Sequence, residues 1–240
     1  MRLDKFISNT TDYSRREVKT LLRQRLVEVN GQVVCDPALQ VGPNDRVTVE
    51  GEPLASAGPR YFMLHKPPGY VCATRDSRHP TVLDLLDEPN KDRLQIAGRL
   101  DIDTTGLVLI TDDGQWNHAI TSPRRVCPKV YRVETAEDIP ADTAVRFAKG
   151  IQLEGERHRT RPATLELLFA NEALLTLQEG KYHQVKRMFA AVGNRVTALH
   201  RESVGDILLD PDLAEGEYRP LTPAEIASVS RPTDAAETDH

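Results

Sequence analysis

The chain has 240 residues, of which 39% are hydrophobic and 28% charged, the balance of an ordinary globular protein with a real core. That length suits one large domain or a small one joined to a medium one, and no apolar run reaches the length of a membrane span. The formal net charge of −5 excludes a uniformly basic nucleic-acid binder, although charge distribution matters more than the total. Cys35, Cys72 and Cys127 lie far apart with no Cys-x-x-Cys pair, which suits a reducing cytosol better than a disulfide framework. The first residues carry Asp4 and no long apolar stretch, so they do not form a secretory signal, and a cytoplasmic protein is expected. The seven histidines show no close metal-ligand spacing, and no metal site is expected.

In chain order, Leu3, Phe6 and Ile7 have the spacing of a short amphipathic helix. Ser14-Arg15-Arg16-Glu17 is a capping-box pattern, in which the hydroxyl and the carboxylate cap each other's backbone amides. Val18, Leu21 and Leu22 supply the buried stripe of that second helix, while Arg15, Arg16, Lys19 and Arg23 fall on its other faces. An Asn30-Gly31 turn between alternating apolar residues predicts a hairpin, and Val47 to Val49 a further strand after the loop at 42–45. A basic helix alone usually just faces water. The helix and the hairpin together, with Arg-Leu-Asp-Lys-Phe at residues 2–6, resemble the S-four-type RNA-binding domain over about residues 2–50.

Pro, Gly and small residues at 53–59 predict a linker after a first domain of residues 1–52. Strands are expected at 60–64, 107–111, 130–135, 164–168 and 173–178, and helices around 142–149 and 185–192. Thr222-Pro223-Ala224-Glu225 is a second capping box that opens a last helix. Strands and helices without regular alternation predict an α+β domain, residues 60–229, with a mixed and mainly antiparallel sheet. Residues 230–240 read as a disordered acidic tail.

Three segments of this second domain carry chemistry. Lys66-Pro67-Pro68-Gly69 makes a rigid turn at the end of the first strand. Gly98-Arg99-Leu100-Asp101-Ile102-Asp103-Thr104-Thr105-Gly106-Leu107 places an acid in a polar loop anchored to a buried strand. Glu179-Gly180-Lys181-Tyr182-His183-Gln184-Val185-Lys186-Arg187-Met188 leads from a turn into a helix with polar and basic side chains. Read alone, Asp101 is an acid that hydrogen-bonds its own turn. In this order behind an S-four-type domain, the three segments resemble the RsuA-type family of ribosomal RNA pseudouridine synthases. The resemblance spans nearly the whole chain apart from the tail. Residues 102–105 and 112–116 are most similar to the branch acting on the small ribosomal subunit.

The resemblance implies isomerisation of uridine to its C-glycoside in small-subunit (16S) ribosomal RNA, in a partly assembled particle. It implies no metal and no nucleotide cofactor, and a monomer is the expected state. Asp101 matches the family's catalytic aspartate, acting as nucleophile or as base towards the ribose. Lys186 matches the cation that pairs with it, and Tyr131 the ring that stacks on the extruded uracil. A strand Tyr is otherwise simply packing. Val185 becomes an apolar wall and Lys66 a residue of the substrate pocket, while Arg99 and Thr105, of the same pocket, support the loop or contact phosphate. Two residues from Asp101, Asp103 is expected to diverge from it in a structural role. Lys181, His183 and Arg187 join Arg15, Arg16, Lys19 and Arg23 as RNA contacts, with His183 and Gln184 equally suited to ordering the loop. The other readings are a sibling acting on large-subunit RNA and a non-catalytic ribosome-associated RNA-binding factor.

Overall fold

The computed structural model describes residues 1–11, 13–42, 45–54, 58–122 and 125–230. Parts of the loop at 42–45 and of the linker, Arg124, and the tail beyond residue 230 lie outside the described residues. The chain divides into two compact units, Met1–Pro59 and Arg60–His240.

In the first unit, helices α1 (Leu3–Thr10) and α2 (Arg15–Arg23) lie against a sheet of β1 (Val27–Val29), β2 (Gln32–Val33), β3 (Val47–Val49) and β4 (Glu52–Leu54). The capping box forms as the sequence predicts: Ser14 N–H donates to Glu17 Oε2 at 2.7 Å, and Glu17 N–H to Ser14 Oγ at 3.4 Å. Leu3, Phe6, Ile7, Val18, Leu21 and Leu22 are buried against the valines of β1 and β3. Each such side chain contributes roughly 1.5–3 kcal/mol by leaving water. Asn30 and Gly31 both adopt left-handed φ, 54° and 78°, as a tight hairpin turn between twisted strands requires. Strand β4 runs two residues past the expected boundary. Its Pro53 is tolerated because β4 ends the sheet order β2-β1-β3-β4, where one side needs no donor.

The second unit is a nine-stranded sheet. Its main path is β13 (Tyr218–Pro220), β5 (Tyr61–Lys66), β7 (Thr105–Thr111), β11 (Val196–Val204), β8 (Lys129–Thr135), β10 (Glu172–Leu177) and β9 (Thr164–Phe169). Strand β6 (Gln95–Ala97) pairs with β7, and β12 (Ile207–Leu208) with β11. Every pairing is antiparallel except β7 with β11, so the mixed, mainly antiparallel sheet expected from the sequence is present. Helices α3 (Gly114–Thr121), α4 (Thr143–Ala148), α5 (Gln184–Ala190) and α6 (Pro223–Ser230) complete it.

Strand β7 is apolar from Leu107 to Ile110 because both its faces are covered. Val108 and Ile110 pack with Phe62, Leu64 and Leu94 on one side; Leu107 and Leu109 pack with Met63, Trp116 and Ile207 on the other. At its start the backbones of β7 and β11 approach so closely that a Cβ on Gly106 would lie 2.3 Å from the Arg201 carbonyl oxygen. Gly106 also has φ +103°, a conformation only glycine adopts without strain. This contact sets the loop preceding β7 directly beside the middle of β11.

Candidate active site

That loop, β8, β11 and the turn before α5 enclose a cavity of about 820 Å³ in the second unit. Asp101 heads a tight turn in which Thr104 N–H donates to its carbonyl at 3.1 Å. Lys66 holds the turn from behind. It is fully buried, and its ammonium donates to the carbonyls of Pro67, Ile102 and Thr104 at 3.0, 3.1 and 2.8 Å. Burial pushes its pKa below the ordinary lysine value. Lys66 therefore does not line the cavity, contrary to the sequence expectation. At the end of β5 its long stem points inward, and the loop's carbonyls capture the charge. Thr105 is also displaced from the pocket: its hydroxyl meets His200 Nδ1 at 2.8 Å.

The Asp101 carboxylate has Lys186 Nζ at 3.4 Å and His183 Nε2 at 3.5 Å, and its side chain is 27% exposed. Both partners come from the third of these segments, residues 179–188. Gln184 shapes this turn, accepting from Lys181 N–H at 2.8 Å and donating to Glu179 at 2.8 Å. His183 has a left-handed φ of 48°, and its ring stacks on Tyr182 with centroids 3.8 Å apart. Gln184 thus orders the loop, while His183 faces the carboxylate.

Lys186 does not serve Asp101 alone. Its shortest contacts are to Asp103, at 2.6 and 2.8 Å. The expectation that the two acids diverge fails because residues 101–104 form a turn rather than an extended strand, so both carboxylates reach one ammonium. The hydrogen bond from Lys186 holds the Asp103 carboxyl below the usual range. Burial works against the Lys186 charge, but the bond and charge of Asp103, with the charge of Asp101, raise its pKa overall.

Tyr131, on β8, is 9% exposed and faces the same cavity, as do buried Val185 and exposed Arg99. Arg201 of β11 was not singled out from the sequence. Only 1% exposed, it donates to the carbonyls of Leu107 at 2.8 Å and Gly98 at 2.7 Å. Its third contact is the Tyr131 hydroxyl at 3.5 Å, with the guanidinium carbon 5.9 Å from the ring centroid.

Lys181 and Arg187 are engaged inside the protein rather than offered freely to RNA. Glu156 pairs with Lys181 at 2.9 Å and with Arg187 at 3.1 Å, and Arg187 also donates to the Glu154 carbonyl at 2.6 Å. Glu156, in the loop after α4, supplies a partner that their spacing could not reveal. On α2, by contrast, Arg15, Arg16, Lys19 and Arg23 are all exposed, outside the buried stripe of Val18, Leu21 and Leu22.

A cavity on a mixed sheet, with a carboxylate between an ammonium and an imidazole and an aromatic ring beside it, fits an enzyme of the uridine-isomerising class. Residues 60–191 match the family model of RNA pseudouridylate synthases, and residues 1–47 match the S4 domain. The chain belongs to the RNA pseudouridylate synthase family, and within it to the RsuA type that its motifs resemble. It is 57% identical over 233 residues to ribosomal small subunit pseudouridine synthase A of Yersinia pestis, covering 97% of this chain and 99% of that protein. Identity to the protein of that name from Escherichia coli K12 is 57% over 230 residues, or 95% of this chain and all (100%) of the relative. A solved pseudouridylate synthase superposes with a TM-score of 0.70 at 47% identity, covering 95% of this chain and 99% of that one.

Proposed function

We propose that this protein converts one uridine of small-subunit ribosomal RNA to pseudouridine, with Asp101 as the catalytic group and the uridine flipped into the cavity. The observation that carries the proposal is the Asp101 carboxylate facing the cavity between Lys186 and His183, with Tyr131 in the same wall. The identity of 57% to small-subunit enzymes over nearly the full chain supports the choice of RNA.

The reaction breaks the N1–C1′ bond, turns the uracil within the pocket and joins C5 to C1′. The C5 proton leaves and N1 gains one, so atoms balance without redox chemistry or hydrolysis, and no cofactor is required. Asp101 engages the ribose, by attack at C1′ or by removing a ribose proton, and needs its charge for either. Lys186 holds that charge in place. Tyr131 offers a ring face to the uracil and a phenol to the C5 proton, while Val185 closes the apolar side.

Flipping a stacked or paired base costs roughly a few kcal/mol. The first unit offsets this by gripping RNA through α2 and raising the effective concentration at the cavity. The protein acts as a cytoplasmic monomer on a partly assembled small-subunit particle, where the target is still accessible. The testing experiment incubates the protein with unmodified small-subunit RNA, free and in particles, and with large-subunit RNA. Pseudouridine is then mapped by carbodiimide-blocked primer extension. A single new stop on small-subunit RNA is expected. A stop on large-subunit RNA alone would overturn the substrate, and no stop anywhere would leave a non-catalytic RNA-binding factor.

A further inference from the structure

Beside the Asp101 turn, the cavity wall is cationic in a way the isomerisation does not use. Lys129, at the start of β8, and Arg201, in the middle of β11, both line it. They converge on Gly98: a Cβ there would lie 3.6 Å from Arg201 Nη1 and 3.9 Å from Lys129 Cε. Gly98 has φ +92°, so the backbone keeps this gap free of a side chain.

Neither cation has a carboxylate partner among the described residues. The Lys129 ammonium donates to the Cys127 carbonyl at 3.0 Å, and Arg201 to two carbonyls and the Tyr131 hydroxyl. The acids lining the cavity are Asp101 and Glu179, and both are engaged by the turn before α5 and its helix. Burial, with the neighbouring Arg201 charge adding to it, pushes the Lys129 pKa below the ordinary lysine value. Two like charges drawn together in a partly dry site are unfavourable unless an anion joins them. An ammonium carries three N–H donors and a guanidinium five, so each has donors left after the contacts above. Exposed Arg125, another residue of the cavity lining, adds positive charge.

We infer that Lys129 and Arg201 form a phosphate subsite, which takes a phosphodiester linkage flanking the target uridine. The inference rests on reading the cavity as the uridine pocket. It gives the pocket a means of holding the flipped nucleotide by its backbone as well as by its base, which fixes C1′ relative to Asp101. A phosphate meeting an ammonium and a guanidinium together makes charge-assisted hydrogen bonds, the strong kind.

The test compares binding of uridine 3′,5′-bisphosphate, uridine and inorganic phosphate to the full chain by calorimetry and by amide shifts at Gly98, Lys129 and Arg201. The variants are Lys129→Gln and Lys129→Arg; Arg201 is left intact because it ties β11 to β7 and the Gly98 carbonyl. The bisphosphate should bind at least about tenfold more tightly than uridine, as one charge-assisted contact would give. Lys129→Gln should erase most of that preference, and Lys129→Arg should retain it. Equal binding of bisphosphate and uridine, including no binding of either, would overturn the inference. So would a preference that survives Lys129→Gln. Inorganic phosphate binding as tightly as the bisphosphate would assign the site to a free anion and overturn the linkage. A Lys129-dependent preference in a protein that makes no pseudouridine would uphold the subsite while the isomerase reading fell.

Discussion

Lys66→Met separates the anchoring of the Asp101 turn from the chemistry proposed for Asp101. The substitution keeps the length and apolar stem of a fully buried side chain and removes donors to the carbonyls of Pro67, Ile102 and Thr104. Hydrogen bonds to a charged group are worth about 1.5–3 kcal/mol each, so the gross loss is about 5–9 kcal/mol. Several kcal/mol return because an ammonium no longer has to be buried. The net destabilisation is then about 1–3 kcal/mol, or about 2–12 °C in Tm for a unit of this size. Activity should fall further than stability. The turn that carries Asp101 loses its rear support, and a displacement of ~1 Å at a reacting group is worth about 100-fold in rate. Thermal denaturation and single-turnover pseudouridine formation, measured well below Tm, give the two numbers. A variant that loses Tm but reacts at the wild-type rate would refute the anchoring role. The Gly69 N–H bond to the Ile102 carbonyl at 2.8 Å and the turn's own bond would then suffice to hold it.

Three further outcomes are expected. Gly106→Ala forces a Cβ to within 2.3 Å of the Arg201 carbonyl oxygen at a φ of +103°. Backbone strain and the disturbed β7–β11 pairing should together lower stability by roughly 2–5 kcal/mol in urea denaturation; a loss below about 1 kcal/mol would count against the close approach. Replacing Arg15, Arg16 and Lys19 together by Ala should weaken RNA binding and reduce the slope of log Kd against log salt by about 2–3. An unchanged slope would count against α2 as the RNA clamp. Burial, with the nearby His65 adding to it, lowers the His200 pKa below 6.5. The unfolded chain therefore takes up a proton that the folded chain refuses, and stability falls as pH drops through 6.5 towards the folded value. His200→Asn should flatten that fall below pH 6.5, and identical profiles would contradict the assignment.

Much of this arrangement is legible in the residues, and what is not has physical causes. The capping boxes at Ser14 and Thr222 and the Asn30-Gly31 turn are local, so neighbouring residues determine them and the structure agrees. Strand β7 shows itself because burial on both faces demands a continuous apolar run. Strand β11 is not legible in the sequence: its nine residues mix exposed and buried positions irregularly, including Arg201 and His200. A buried arginine has no local signature; what buries it is the parallel pairing with β7, which joins segments distant in the chain. The ordered motifs gave Asp101 and Lys186 as partners but not their geometry. That Lys186 bridges Asp101 and Asp103 depends on a tight turn at 101–104, which two acids in a polar loop do not specify. The same limit applies to Lys66, Lys181 and Arg187, whose partners are backbone carbonyls or Glu156 on a distant loop.

The central claim is that the charge of Asp101 performs the chemistry and does not merely hold a turn. Asp101→Asn preserves the shape of the side chain and removes that charge. Mapped pseudouridine in small-subunit RNA and RNA affinity, measured on the same preparation, test the claim most directly. The account predicts no detectable product with affinity and Tm close to wild type. Retained product, or an affinity lost in step with product, would contradict it.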